Sequence, residues 1–276
     1  MSGPVTGDAD RKSAVRDFWN MESCGERYAV GADEAAALNE QSEIRYELEP
    51  YLRSFARFHD GRGQDVLEVG VGMGADHLEW AKEKPRSLTG VDLTPRAIEF
   101  TRARFAAAGL TANVELADAE RLPFPDESFD LVYSWGVLHH SPDTQRAVDE
   151  VRRVLRPGGK ARIMIYHSRS IVGAVLWVRY GLFAGAPFRS LSSIYASHLE
   201  SPGTKAYSLS DAQRLFGRFS SAKMEVCQAP SDLLLPGMGR RHEGPLLTLA
   251  QFVWPRRLIR TFGRGVGLYL MIDAVK

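Results

Sequence analysis

A glycine-rich turn directly after a short apolar run constrains this sequence more than any other feature. Residues 65–69 predict a buried strand, and this strand runs into Gly-Val-Gly-Met-Gly at 70–74, with a helix predicted to follow. Glycine adopts positive φ and lets a ligand approach the backbone closely. In a parallel α/β sheet, ligands bind at the carboxyl ends of the strands. The pattern predicts such a sheet, with Gly70, Gly72 and Gly74 beside a ligand.

Further strands are predicted by short apolar runs at regular spacing. The runs lie at 87–91, 114–117, 129–133 and 161–166, and the helices between them begin at Thr94-Pro95 and Ser141-Pro142. Gaps of about 20–30 residues suit right-handed crossovers between parallel strands. Two later candidates, 222–228 and 266–275, complete the set. The predicted fold class is α/β, with a Rossmann-like, mostly parallel sheet.

The chain divides into an N-terminal segment and a sheet domain. Residues 1–63 predict a helical segment, because apolar side chains recur there at helical spacing, at Ile44, Leu48, Leu52 and Phe55. Residues 64–276 predict the sheet domain, with its core at 64–166 and insertions at 167–207 and 230–264. We expect the N-terminal segment to act as a lid or an oligomerisation surface, and the insertions to form a helical and loop cap.

Charge and cysteine content exclude several classes of protein. The 276 residues carry 35 Lys+Arg against 34 Asp+Glu, so no overall basic field attracts nucleic acid. Cys24 and Cys227 are too few for a disulfide framework or a four-cysteine zinc site. The longest strongly apolar run, 171–178, is far shorter than the ~20 residues of a spanning helix. No signal peptide is evident, so we expect a cytoplasmic protein without a transmembrane segment.

Polar side chains follow the predicted strands. Asp92 ends the second strand, 22 residues after Gly70, where a carboxylate can accept hydrogen bonds from both ribose hydroxyls of a nucleoside. Asp118 ends the third strand and precedes Ala119, and a carboxylate there can accept a hydrogen bond from an adenine amino group. The fourth strand continues into Ser-Trp-Gly-Val-Leu-His-His at 134–140, whose side chains can face a second substrate. These positions predict a nucleoside-binding sheet.

Two classes of nucleoside-binding sheet fit these positions. Gly70, Gly72 and Ala75 match the dinucleotide fingerprint Gly-x-Gly-x-x-Ala. Glu68, however, extends the motif to Glu-x-Gly-x-Gly-x-Gly, and the chain has no Tyr-x-x-x-Lys pair of the kind a short-chain dehydrogenase uses. Both observations favour a class other than the dehydrogenases.

Five stretches in order resemble the class I S-adenosylmethionine-dependent methyltransferases, in the branch that acts on quinones and other small molecules. They are VLEVGVGMG at 66–74, GVDLT at 90–94, ADAERLPFP at 117–125, FDLVY at 129–133 and RVLRPGG at 153–159. The resemblance covers about residues 64–166. It implies a seven-stranded sheet with an antiparallel last strand, and S-adenosylmethionine as the cofactor.

The resemblance also implies a role for each matched residue. Glu68 and the three glycines lie near the methionine moiety, Asp92 and Leu93 at the ribose, and Asp118 and Ala119 at the adenine. Ser134, Trp135 and His139 line the methyl end. The termini match the family only loosely, so the resemblance does not identify the acceptor.

A hydrophobic small molecule of secondary metabolism is the predicted acceptor, because both insertions are rich in aromatic and aliphatic residues. The chain is also similar to actinobacterial natural-product methyltransferases, among them the C-methyltransferase of teleocidin assembly, which methylates an alkene carbon of a prenyl chain. Such a reaction forms a carbocation, which aromatic faces stabilise. The aromatic candidates are Trp19, Tyr28, Trp177, Tyr180 and Tyr195.

Other interpretations stay open. O-methylation of a phenol, quinone or polyketide would use His139 or His140 as a base, so the catalytic candidates are His139, His140 and Tyr28. An RNA or protein methyltransferase and a non-catalytic S-adenosylmethionine-binding scaffold are further alternatives. We expect no metal at His139, His140 and Asp143, because adjacent histidines point apart on regular structure.

The charge distribution predicts a homo-oligomer and no nucleic-acid partner. Residues 1–60 hold 12 Asp+Glu against 7 Lys+Arg, whereas 240–264 is a basic stretch. These two segments can meet between subunits.

Overall fold

Seven strands form one sheet. They are β1 (Asp65–Val69), β2 (Ser87–Asp92), β3 (Val114–Leu116), β4 (Phe129–Trp135), β5 (Leu155–Tyr166), β6 (Ser221–Cys227) and β7 (Tyr269–Val275). In the computed structural model, which describes residues 7–29, 31–235, 254–257, 259, 263 and 265–276, the strand order is β3-β2-β1-β4-β5-β7-β6. The first five strands pair in parallel, and β7 runs antiparallel to β5 and β6. The predicted fold class is confirmed.

Helices connect the strands and precede the sheet. The N-terminal segment contains α1 (Asp8–Met21), a 3₁₀ turn at Glu26–Tyr28, α2 (Glu34–Leu48) and α3 (Leu52–Ala56). The crossovers contain α4 (Ala75–Lys82), α5 (Pro95–Ala107) and α6 (Thr144–Val154). After β5 come α7 (Ile171–Trp177), α8 (Leu191–His198) and α9 (Leu209–Leu215).

The helix starts follow local capping chemistry, with one correction to the sequence analysis. Thr94 caps α5 by accepting a hydrogen bond from the Ala97 amide, and Pro95 begins the helix, as predicted. For α6 the cap is Asp143, whose carboxylate accepts from the Arg146 amide at 3.0 Å. The prediction of a start at Ser141-Pro142 was therefore two residues early.

β5 begins earlier than its apolar run. The sequence predicted a strand only from residue 161, because Pro157-Gly158-Gly159 is typical of a helix stop. The strand instead starts at Leu155, which pairs with Phe129, and the register shifts before Lys160 pairs with Leu131. Gly158, at φ = 75°, lies within this irregular stretch, which is how the strand accommodates it.

The late strands agree with the prediction to within a few residues at their ends. The candidates at 222–228 and 266–275 correspond to β6 and β7. Most of the insertion predicted at 230–264 lies outside the described residues. Among the helices that the structure describes, none combines the length and apolar character needed to cross a bilayer.

Buried polar side chains fix the N-terminal helices onto the sheet domain. Arg104 of α5 is 2% exposed and donates hydrogen bonds to the Leu38 carbonyl and the Gln41 side chain of α2, at 2.7 Å each. It also donates to the carbonyl of Met73 in the glycine-rich turn at 2.6 Å. Arg45 of α2 pairs with the buried Asp76 of α4 at 2.7 Å. Because a buried charge is costly unless it is paired, these contacts hold α2 against the turn.

Candidate active site

A cavity of about 280 Å³ lies where β1, β2 and β4 end. Side chains from α1, the Glu26–Tyr28 turn and α2 close one side of it, and side chains near the end of β5 line the other. Many of the residues predicted from the sequence line this cavity: Tyr28, Glu68, Gly70, Gly72, Asp92, Leu93, Asp118, Ala119, Trp135 and His140. The fold therefore brings to one site residues that are up to 112 positions apart in sequence, from Tyr28 to His140.

The glycine-rich turn is shaped by close packing at Gly70. Gly70 has φ = 85°, and a Cβ placed on it would lie 2.1 Å from Cγ2 of Val137. Only glycine fits such an approach in this conformation. Gly72 lines the cavity, whereas Gly74 begins α4 and faces Thr101 of α5 instead. Gly74 thus supports the turn from behind the cavity.

Asp92 holds the glycine-rich turn in place through hydrogen bonds to backbone amides. Its Oδ2 accepts from the Gly72 amide at 3.1 Å, and its Oδ1 accepts from the amide and the hydroxyl of Thr94, both at 2.9 Å. Burial raises the pKa of the Asp92 carboxyl, and these hydrogen bonds oppose the rise. Asp92 also lines the cavity, beside the turn that it holds.

Lys12 of α1 contacts Asp118, a contact that the sequence analysis missed. The Lys12 ammonium lies 2.6 Å from Asp118 Oδ2 and 2.5 Å from Glu120 Oε2. Asp118 Oδ1 accepts from the Glu120 amide at 2.9 Å. No local sequence signal joins residues 106 positions apart. The first helix is thereby fastened to the edge of the cavity where β3 ends.

Glu68 and His77 form a buried pair beneath the turn. Glu68 Oε2 lies 2.9 Å from His77 Nδ1, and both side chains are almost completely buried. Burial raises the pKa of Glu68 well above its ordinary value and lowers the pKa of His77 to about 3. Glu68 also lines the cavity, so this buried pair forms part of the cavity wall.

The other end of the cavity is aromatic. Trp19 and Tyr28 come from the N-terminal segment, and Trp135, Tyr166 and Tyr269 come from the ends of β4, β5 and β7. The Trp135 and Tyr269 rings meet edge to face at 5.6 Å. Burial raises the pKa of Tyr28 to about 12, so this phenol is neutral near pH 7. The wall is suited to an apolar ligand.

Three of the predicted aromatic residues lie elsewhere. Tyr195 packs with Leu176 and Ile194 in a separate cluster of the cap, and Trp177 and Tyr180 pack against that cluster. None of the three is among the residues that line the cavity. Their aromatic character is accounted for by packing between α7 and α8.

His139 and His140 have different surroundings. His140 lines the cavity, whereas His139 is fully buried behind it, with its ring centroid 3.9 Å from that of Tyr166 and the two rings tilted by 36°. Neither ring nitrogen of His139 has a hydrogen-bond partner among the described residues. Ser134 is also fully buried, and its hydroxyl donates to the Val69 carbonyl at 2.9 Å. His139 and Ser134 were predicted to line the methyl end, and the structure places both outside the cavity lining.

The cap supplies polar groups around His140 that the sequence analysis did not find. Glu200 lines the cavity, with Oε2 3.5 Å from His140 Nε2. The His139 and His140 rings are only 4.2 Å apart, so the expectation that they point apart was wrong. With Glu200 they place three potential ligand atoms within 4.8 Å of one another. Asp143, the third ligand considered from the sequence, caps α6.

Comparison with known proteins places the chain in a family. The profile of a family described as a methyltransferase domain matches residues 67–163. Methyltransferase GfsG of Streptomyces halstedii is 30% identical over 190 residues, which is 67% of this chain and 67% of the relative. The chain belongs to the S-adenosylmethionine-dependent methyltransferases. This assignment agrees with the five sequence stretches, and the cofactor of the family is S-adenosylmethionine, as predicted.

Two further comparisons place this methyltransferase among known proteins. An uncharacterised protein of Mycobacterium tuberculosis is 37% identical over 173 residues, 63% of this chain and 57% of the relative, so the match spans little more than half of that protein. The geranyl diphosphate C-methyltransferase of Streptomyces coelicolor A3(2), solved with Mg²⁺, geranyl diphosphate and S-adenosylhomocysteine, superposes with a TM-score of 0.62 at 16% identity. That superposition covers 99% of both chains. At this identity the likeness shows a shared fold.

Proposed function

We propose that this methyltransferase transfers the methyl group of S-adenosylmethionine to a hydrophobic small molecule of secondary metabolism. One observation carries the proposal: a single cavity joins the glycine-rich turn and the two strand-end aspartates to an aromatic wall. The polar end suits a nucleoside cofactor and the aromatic end suits an apolar acceptor.

Within this proposal, each cavity residue keeps the role that the resemblance implies. Gly70, Gly72 and Glu68 hold the methionine moiety, and Asp92 with Leu93 holds the ribose. Asp118 and Ala119 hold the adenine. Two acceptor positions of Asp118 remain open beside its contacts with Lys12 and the Glu120 amide. Trp135 lies at the methyl end, whereas Gly74, Ser134 and His139 support the site from behind.

Methyl transfer needs alignment more than it needs reactive side chains. The acceptor atom attacks the methyl carbon in line with the carbon–sulfur bond, so positioning supplies much of the rate. The positive charge on sulfur disappears along this path, which makes a dry, aromatic cavity compatible with the reaction. The side of the cavity that α1 and the Glu26–Tyr28 turn close helps to keep water away from the reacting atoms.

Two kinds of acceptor atom fit this wall. For an alkene carbon, Trp19 and Tyr28 would stabilise the carbocation, and Trp135, Tyr166 and Tyr269 add further aromatic faces. For a hydroxyl oxygen, His140 is the base that reaches the cavity. The surroundings of His140, where Glu200 Oε2 lies 3.5 Å from its Nε2, favour the hydroxyl.

Transfer of a labelled methyl group tests the proposal. Purified protein is incubated with methyl-labelled S-adenosylmethionine and an extract of the source organism, and the label is followed into each fraction. We expect label in organic-soluble small molecules, and none with an Asp92→Ala variant, which should bind S-adenosylhomocysteine at least ~10-fold more weakly. The matched control is Asp126→Ala, because Asp126 lies on the surface beside Arg153. Label retained by RNA or protein contradicts the proposed acceptor.

A further inference from the structure

We propose that Glu200 of the cap is a positioning residue for His140, and that the two form a proton-receiving pair for an acceptor hydroxyl. This inference rests on the proposed methyltransferase function and narrows its acceptor class. It is carried by three observations: the hydrogen bonds at His140 Nδ1, the unpartnered His140 Nε2, and the tyrosine that orients Glu200.

The Nδ1 side of His140 is held by two cap hydroxyls. Ser201 Oγ lies 2.8 Å from His140 Nδ1, and Thr204 Oγ1 lies 3.2 Å from it. The single proton of the Thr204 hydroxyl is directed at the Ser201 carbonyl, 2.6 Å away. Thr204 therefore faces Nδ1 with lone pairs only.

Counting protons assigns the tautomer of His140. If Nδ1 carries the proton, it donates to Ser201 Oγ, and the Ser201 hydroxyl is free to donate to Thr204 Oγ1 at 3.3 Å. If Nδ1 lacks the proton, its lone pair faces that of Thr204 at 3.2 Å. The first arrangement gives Nδ1 and both hydroxyls complementary partners, so we place the proton on Nδ1.

The Nε2 side of His140 then presents a lone pair at the cavity wall. Nε2 is buried and has no hydrogen-bond partner among the described residues. Glu200 Oε2 lies 3.5 Å away and accepts from the Tyr166 hydroxyl at 2.6 Å. Two acceptors so close together, with no proton between them, form a subsite for a hydrogen donor that enters from the cavity.

The surroundings limit what else can act on this pair. His140 is only 5% exposed, and the edge of Trp19 meets its ring at 5.2 Å. The other titratable or charged groups that face it are His139, Tyr166 and Lys205, and the Lys205 ammonium is bound to the carbonyls of Ser141 and Pro142. Glu200 is therefore the one carboxylate beside Nε2 in the part of the chain that the structure describes.

The transfer step balances with a hydroxyl acceptor. The proton of the acceptor hydroxyl passes to His140 Nε2 while an electron pair of its oxygen forms the new O–CH₃ bond. The electron pair of the broken S–CH₃ bond stays on sulfur, which becomes a thioether. The imidazolium that results is stabilised by the Glu200 carboxylate. A simple alkene has no proton to give before the bond forms, so the pair indicates O-methylation.

The tautomer is tested by ¹⁵N NMR of protein containing ¹⁵N-histidine, with S-adenosylhomocysteine bound, at pH 7.5. A His140→Gln variant assigns the signals. We expect the proton on Nδ1 in the wild type. In a variant with both Ser201→Ala and Thr204→Val we expect it on Nε2, because Nδ1 has lost its acceptors. A wild-type His140 with its proton on Nε2 overturns the proposal.

The role of Glu200 is tested by the initial rate of label transfer into the organic-soluble extract, followed against pH. Glu200→Gln should lower the rate at least ~10-fold and move the acid limb of the pH profile to lower pH. Glu200→Asp should restore part of the rate. The matched control Glu225→Gln, on the exposed face of β6, should change neither quantity. Unchanged affinity for S-adenosylhomocysteine shows that each variant is folded.

The outcomes separate this inference from the proposed function. A Glu200→Gln variant that transfers label at the wild-type rate with the wild-type pH profile overturns the inference alone. Label found in RNA or protein overturns the acceptor class, whereas the NMR result, which needs no methyl transfer, still decides the tautomer.

Discussion

His139 is a neutral residue at pH 7 because of its surroundings. It is fully buried, and burial together with the neighbouring His140 lowers its pKa well below the ordinary value of about 6.5. Below that pH the unfolded chain binds a proton that the native protein excludes. The neutral form of His139 therefore contributes stability above pH ~6.5. This contribution is lost as the pH falls below ~6.5, by up to ~1.4 kcal/mol per pH unit.

A His139→Phe variant should remove this dependence, because phenylalanine keeps a flat ring beside Tyr166 and cannot titrate. Urea denaturation at pH 7.5, 6.5 and 5.5 measures the free energy of unfolding at each pH. The slope of this free energy against pH should decrease by the contribution of about one bound proton, ~1.4 kcal/mol per pH unit. Equal slopes in the variant and the wild type would contradict the assignment.

Gly70 is required because Val137 packs closely against it, and this effect can be tested separately from that of its positive φ. Alanine at Gly70 would place Cβ 2.1 Å from Val137, whereas alanine at Gly109, with φ = 69°, would meet nothing within 4 Å. Gly109→Ala should cost only the backbone strain, ~1 kcal/mol. Gly70→Ala should cost a further ~1–3 kcal/mol from overpacking and weaken S-adenosylhomocysteine binding. Denaturation and calorimetry measure both quantities, and similar losses in the two variants would contradict the packing argument.

Most of the site residues that the sequence predicted lie at or just after the ends of strands whose apolar runs are visible in the chain. Asp92 and Asp118 could be placed in this way, because parallel strands end at one edge of a sheet. Lys12 and Glu200 could not, because their contacts join segments far apart in sequence. No local pattern specifies where α1 or the cap crosses the cavity.

At the scale of elements, Arg104 connects three pieces of structure. Its guanidinium donates to α2 and to the Met73 carbonyl of the glycine-rich turn, and burial lowers its pKa to about 10. Arg104→Met would leave several buried acceptors unpaired, so the free energy of unfolding should fall by ~3 kcal/mol or more. Urea denaturation measures the loss.

The control for Arg104 lies on the same helix. Arg102 makes one hydrogen bond to a carbonyl, that of Val114, so Arg102→Met should cost ~1 kcal/mol. S-adenosylhomocysteine should also bind more weakly to Arg104→Met, because the turn loses an anchor. Equal stability losses for the two variants would show that Arg104 does not connect α2 to the turn.

Element boundaries were predictable where one local signal acts alone. Thr94-Pro95 begins α5 as expected, because capping is local. At residues 155–159 two signals compete. Pro157-Gly158-Gly159 is typical of the end of a helix, yet this segment pairs with β4 and is part of β5. Tertiary pairing decided the outcome, and it cannot be seen in the sequence of that segment.

At the scale of the whole molecule, the N-terminal segment covers the cofactor end of the cavity. Contacts of α1 with the sheet domain include the Lys12 ion pairs, the ring of Trp19 beside His140, and Asn20, which accepts from the Arg96 amide at 3.2 Å. Arg96 also pairs with Glu26 of the following turn. The lid role of this segment stays a prediction, and opening of α1 would have to break these contacts.

A bound cofactor should stabilise the closed position of this lid. Lys12 and Trp19 line the cavity, so a ligand that fills it gains contacts only when α1 is in place. Saturating S-adenosylhomocysteine should slow proteolysis between residues 7 and 29. Lys12→Met should speed S-adenosylhomocysteine dissociation by ~5–10-fold, because the ion pairs with Asp118 and Glu120 are lost. Lys82→Met, which removes an exposed pair with Glu79, should leave dissociation unchanged. If proteolysis is equally fast with and without S-adenosylhomocysteine, α1 is a fixed wall of the cavity and the cofactor enters by another side.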